Sequence, residues 1–138
     1  MLEDGSVVAT KMLITGDSEV RNCMVSGTLK AKSMYSEFVD INLSVNSYTI
    51  SPLVNGSCYK IMVTQSGTIY LPSASTFSGL HIIAIVFSDS KWNVTFSTTD
   101  GFGWDGISKN WTRSFSGQTV EFVSDGQHWH VLMSEITV

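Results

Sequence analysis

The stretch Gln118-Thr119-Val120-Glu121-Phe122-Val123-Ser124-Asp125-Gly126-Gln127-His128-Trp129-His130-Val131-Leu132 decides how this chain is read. Apolar and polar residues alternate on both sides of Asp125-Gly126, and that dipeptide suits the positive φ angles of a tight hairpin turn. A two-residue turn there pairs Phe122 with Trp129 and Val120 with Val131 on one face. Glu121 then faces His130, and Val123 faces His128, on the other. Patterning and turn chemistry agree, so an antiparallel hairpin is expected.

The same reading extends towards the N-terminus. Leu80–Phe87 is apolar on both faces, as a central strand should be. A turn at Asp89-Ser90 joins it to Lys91–Ser97 and sets Phe87 against Trp92, Ile85 against Val94 and Ile83 against Phe96. Asn93, Thr95 and Ser97 then point away from the core. Asn55-Gly56 is the strongest short hairpin signal in the chain, and folding there sets Ile50 opposite Ile61 and Tyr48 opposite Val63. The expectation for residues 41–138 is a mainly β head domain, an antiparallel β-sandwich or flattened barrel of about seven strands.

Residues 1–40 differ in kind. Lys11-Met12-Leu13-Ile14-Thr15-Gly16 is loosely echoed by Cys23-Met24-Val25-Ser26-Gly27, with too few apolar residues to close a core. Such a segment is either a stalk buried against copies of itself or a disordered chain end. Ala31, Met34, Tyr35, Phe38 and Val39 fall at helical spacing. A helix there is shorter than the roughly 12–15 residues that stand alone in water, so it requires a partner surface.

The composition agrees with strand. Of 138 residues, 21 are serine and 13 threonine, and only 14% are charged, against roughly 25% in ordinary domains. A net charge of -4 argues against nucleic acid, which needs a basic face. No apolar run is long enough to span a bilayer, and the first residues lack the pattern of a signal peptide. Cys23 and Cys58 are expected as free thiols, with a single disulfide as the other reading. The Asn-x-Ser/Thr triplets at Asn42, Asn55, Asn93 and Asn110 read as by-products of the composition.

Motifs of catalysis are missing: no nucleophile elbow, phosphate loop, Cys-x-x-Cys or zinc-protease helix stands in the sequence. The expectation is a non-enzymatic protein. His128 and His130, two residues apart on a strand, would share a face; three chains around an axis would then supply six imidazoles suited to iron or nickel. The competing reading pairs His130 with Glu121, and no cofactor is then expected. The turn-rich segment from Thr98 to Arg113 carries the contact candidates. Phe102, Trp104 and Trp111 offer aromatic surface of the kind that dominates binding hot spots and suits sugar rings. Asp100, Asp105, Asn110 and Arg113 are their polar partners.

The closing segment Gly117–Leu132, with its Ser-Asp-Gly turn and Trp129, resembles the last hairpin of bacteriophage tail-fibre and tip domains. Gly67-Thr68-Ile69-Tyr70-Leu71-Pro72 resembles the Gly-x-Ile-x-Leu-Pro segment of the same domains, and Trp104-Asp105-Gly106 stands where they often carry Ile-Asp-Gly. Asp4–Gly16 is similar to stalk segments of host-specificity (tail-tip attachment) proteins of long-tailed phages. The resemblance implies a homotrimeric fibre end, assembled in the bacterial cytoplasm as part of the virion tail. It would act at the host surface on an outer-membrane protein or surface polysaccharide, with no membrane insertion and no nucleic acid. It also makes Asp125, Gly126 and Trp129 architectural. His128 and His130 stand where such domains more often have Asn and Tyr, and some phage fibre tips bind iron through such a pair. Two other readings accompany it: a structural stem or trimerisation module with the receptor-binding tip elsewhere, and a polysaccharide-degrading tail enzyme.

Overall fold

The computed structural model describes residues 15–16, 24–33, 36–44, 47–88 and 92–134. The chain divides into two compact units, Met1–Met34 and Tyr35–Val138. In the first, the described residues carry no strand and are exposed, Met24 and Leu29 among them; most of the expected stalk, including Cys23 and the Lys11–Ile14 part of its echo, lies outside the described residues. The helix expected from Ala31 to Val39 does not form: Ala31–Ser33 and Ser36–Phe38 are irregular, and Val39 opens a strand. Met34 and Tyr35 lie outside the described residues.

The second unit is mainly β, as expected, but it is a β-solenoid of about three turns and not an antiparallel sandwich or barrel. Its strands are β1 (Val39–Leu43), β2 (Ser47–Thr49), β3 (Cys58–Val63), β4 (Gly67–Tyr70), β5 (His81–Ser88), β6 (Asn93–Phe102), β7 (Ser108–Ser114), β8 (Gln118–Ser124) and β9 (Trp129–Ser134), with one helical turn α1 (Pro52–Asn55). β1, β3 and β5 stack in parallel, and so do β2, β4 and β6. The chain alternates between the two stacks, laying one strand on each per turn. The end of the solenoid is closed by antiparallel strands, β8 on β5, β9 on β8 and β7 on β6. A single parallel pair, Phe102 with Trp129, joins β9 to β6.

Parallel stacking places like on like. Ile41, Ile61 and Val86 are successive register partners in one stack, and Tyr48, Ile69 and Phe96 are in the other. The inward residues of both stacks form one core with Phe115, Val120, Phe122 and Trp129. Phe96 and Phe122 meet at 4.5 Å between ring centroids. Tyr59 is wholly buried; its hydroxyl donates to the Gly56 carbonyl, and burial pushes its ionisation up to about 12.

Three expected pairings are corrected. Asn55-Gly56 does not turn a hairpin: it ends α1, with Gly56 at φ 81 and its N–H on the Pro52 carbonyl. The positive φ is there, used for a helix cap, and the chain crosses to the other stack. Ile50, just after β2 with its N–H on the Tyr70 carbonyl, and Ile61, in β3, are both core but belong to different stacks. Asp89 and Ser90 lie outside the described residues, yet the strands flanking them do not pair with each other. β5 is central, between β3 and β8, as expected, but Ile82, Ala84 and Val86 point inward, while Ile83 and Ile85 are half-buried and Phe87 is exposed. In β6, Val94 and Phe96 are buried while Asn93, Thr95 and Ser97 face out as expected. The β8–β9 hairpin exists with its faces as expected, but its register lies two residues further on. Phe122 pairs with Val131, Glu121 with Leu132, and Ser124 with Trp129.

That shift has a local cause. The Asp125 carboxylate accepts the N–H groups of Gln127 (2.8 Å) and His128 (2.7 Å), and the Asp125 N–H donates to the His128 carbonyl. The side chain thereby holds four residues, 125–128, as the turn where two were expected.

Among the described residues, no helix is long and apolar enough to cross a membrane.

Candidate functional site

Two loops meet beside the β6–β9 contact: residues 103–107, between β6 and β7, and residues 125–128, between β8 and β9. The Gly103 N–H donates to the Trp129 carbonyl at 2.9 Å. Gly101 and Gly106 have φ of 89° and 60°, and a Cβ on Gly101 would fall on the Gly106 backbone. A Cβ on Gly106 would fall on the His128 ring. Only glycine permits this close approach together with the left-handed backbone.

The consequence is the position of Trp104. Its indole is 90% exposed, an unusual state for so large an apolar group. It stands edge-on to the His130 ring at 5.5 Å. The His130 Nε2 meets the Asp125 Oδ2 at 2.6 Å, and both side chains are partly exposed. Backbone N–H donors and His130 hold the Asp125 carboxyl well below the usual carboxylate range. Ile107, also well exposed, and Asp105 complete the loop, the latter accepting the Ile107 N–H at 3.1 Å. The surface therefore offers an aromatic face, an imidazole and a carboxylate that stays ionised, all on a backbone fixed by glycine geometry.

The segment after β4 braces this tip from below. Trp129 is fully buried, and its Nε1 donates to the Pro72 carbonyl at 2.9 Å. The Ser124 hydroxyl donates to the Ala74 carbonyl, while the Ala74 N–H donates to Asp100 Oδ2. Leu71-Pro72-Ser73-Ala74 and Ser124–Trp129 are thus one hydrogen-bonded assembly.

The contact candidates named from sequence do not form one patch. Trp104 and Asp105 lie in the exposed loop. Phe102 is buried against Phe122, and Asp100 is committed to Ala74. Trp111 packs half-buried among Phe96, Phe115 and Phe122, with the Arg113 guanidinium 5.5 Å over its ring. Asn110 faces out from β7, beside Ser97.

Sequence reasoning missed that His130 and Asp125 stand beside Trp104. It paired His130 with Glu121, but Glu121 meets His81 Nδ1 and His130 meets Asp125. The available signal was the spacing of Asp125 and His130 across the turn, Asp-Gly-x-His-x-His. Of the paired histidines, His128 precedes β9 with its ring against Gly106, while His130 Nε2 is engaged by Asp125. Among the described residues, no group of three or more His, Cys, Asp or Glu is placed to hold a metal ion. Cys58 is a free, buried thiol.

Compared with known proteins, the chain matches no protein-family model and no curated sequence.

Proposed function

We propose that this chain is the end domain of a homotrimeric bacteriophage tail fibre, a non-enzymatic adhesin that attaches the virion to an outer-membrane protein or glycan of the host. The observation that carries the reading is Trp104: a rigidly mounted indole left almost wholly in solvent beside an imidazole–carboxylate pair. Aromatic anchors ringed by polar groups are what binding hot spots are made of. The order of the Gly-x-Ile-x-Leu-Pro, Trp-Asp-Gly and Ser-Asp-Gly…Trp segments supports it. So does their convergence, since Pro72, Ser124 and Trp129 belong to the assembly beneath the tip. Residues 1–40 serve as the stalk, and three copies multiply a weak single contact through avidity. The protein is assembled in the host cytoplasm and acts at the cell surface.

The test is binding of fluorescent protein to host cells. Trp104→Ala is expected to lose binding by roughly tenfold or more while melting like the parent. A folded variant with undiminished binding overturns the reading.

A stem or trimerisation module is the second reading. The outward face of the β1-β3-β5 stack favours it, because Met62 and Phe87 are exposed there beside a shallow cavity of about 300 Å³. A folded Trp104→Ala trimer that still binds cells selects this module.

A further inference from the structure

The outward face of the β2-β4-β6-β7 stack is built differently from the rest of the surface. Register partners across its four strands form two rows. One is Ser47, Thr68, Thr95 and Thr112; the other is Thr49, Tyr70, Ser97 and Asn110. All eight are exposed or half-exposed. Every member is an uncharged hydrogen-bonding group, and Tyr70 adds a 45% exposed ring. The outward face of the other stack carries Asp40, Lys60, His81 and Glu121. Charge is therefore excluded from one face and not from the other.

Strand geometry fixes the spacing of this array. Neighbouring strands lie about 4.8 Å apart, and alternate residues along a strand about 6.6 Å apart. The two rows thus present polar groups at a regular repeat over about 14 Å from β2 to β7. Among the described residues, one side-chain hydrogen bond lies within the array, Thr95 Oγ1 to Thr112 Oγ1 at 2.8 Å. Among the described residues, the remaining side chains of the array make no other side-chain hydrogen bond, and all are exposed or half-exposed.

We propose that this face binds a neutral polysaccharide laid across the strands. Hydroxyl and amide groups satisfy both donors and acceptors of sugar hydroxyls, and the tyrosine ring offers a platform for a pyranose face. Nucleic acids and anionic glycans require cations, which the array lacks. A protein partner requires an apolar centre, and Tyr70 is the one large apolar side chain in it. The site is separate from the Trp104 tip and does not depend on it.

Native gels cast with dextran, hydroxyethylcellulose or galactomannan test this, with alginate as the anionic comparator. The protein is expected to be retarded in at least one neutral gel and not by alginate. Thr68→Lys with Thr95→Lys should weaken retardation by at least tenfold, whereas Asn42→Lys on the other stack should leave it unchanged. The pair Thr68→Val and Thr95→Val, which keeps shape and strand preference, should also weaken it, so the outcome does not hang on folding of the lysine variant. The proposal is overturned by no retardation in any neutral gel, by retardation by alginate of equal strength, or by a folded double variant that binds like the parent. A fall in solution mass on Thr95→Lys also overturns it, since the face would then be a contact between copies.

Discussion

Gly101 and Gly106 hold the Trp104 loop by mutual contact of their backbones, at φ values unfavourable to other residues. Gly101→Ala is therefore expected to cost about 3 kcal/mol, visible as a lower urea midpoint. Asp125 is open to solvent, so its role shows in pH dependence. Its folded-state ionisation lies below the ordinary value, near 3.9 in unfolded chains. Its contribution is thus present above that value and lost as pH falls below about 4. The stability gap between parent and Asp125→Asn is expected at pH 5 and should narrow on acidification, measured by urea unfolding across that range. A gap unchanged at pH 2.5 would show that the turn, not the charge, is what Asp125 supplies. Trp104→Ala belongs to the same scale: with the ring outside the core, stability should move by less than about 0.5 kcal/mol.

At the scale of strands, burial puts Phe96 at the crossing of both stacks, in ring contact with Trp111, Phe115 and Phe122. Phe96→Ala should cost about 3–5 kcal/mol, read from the same unfolding curves. A loss below about 1 kcal/mol would mean that the stacks do not share one core. Amide exchange should be slowest in β3, β5 and β8, which are paired on both sides, and fastest in β1, β2 and β7, each paired on one side only. This scale also marks where the sequence was legible. Alternation identified the strands around Val94, Phe96, Val120 and Phe122 and their inward faces, because burial has period two in any sheet. It was silent on partners: Ile50 and Ile61 satisfy a hairpin and a solenoid equally, and only the α1 turn distinguishes them. β5 misled for a related reason, since Ile82 and Ile83 are both apolar and either could face in. In the candidate site, Trp104 was legible as an aromatic among glycines. His130 and Asp125 were not, because the two-residue register shift depends on one carboxylate's hydrogen bonds.

For the molecule as a whole, the outward face of the β1-β3-β5 stack raises the question of association. Met62 and Phe87 are exposed there at 38% and 36%, beside half-buried Ile83 and Ile85, and the face continues through β8 to Leu132 on β9, 59% exposed. A cavity of about 300 Å³ opens between Asp40, Lys60, Met62 and Phe87. Apolar side chains grouped on one sheet face mark interaction surfaces more often than isolated ones do, and a head-to-tail contact repeated around a three-fold axis would cover them in a closed trimer. On the trimeric reading, sedimentation equilibrium should return three times the 15.1 kDa chain mass. Met62→Asp with Phe87→Asp should then lower the mass to that of one chain with the β-rich circular dichroism retained, because both positions lie outside the core. A parent protein that sediments as a stable monomer removes the trimer, and with it the avidity on which the adhesin reading relies. A trimer indifferent to both substitutions would instead assign the contact to residues 1–40, where exposed Met24, Val25 and Leu29 stand.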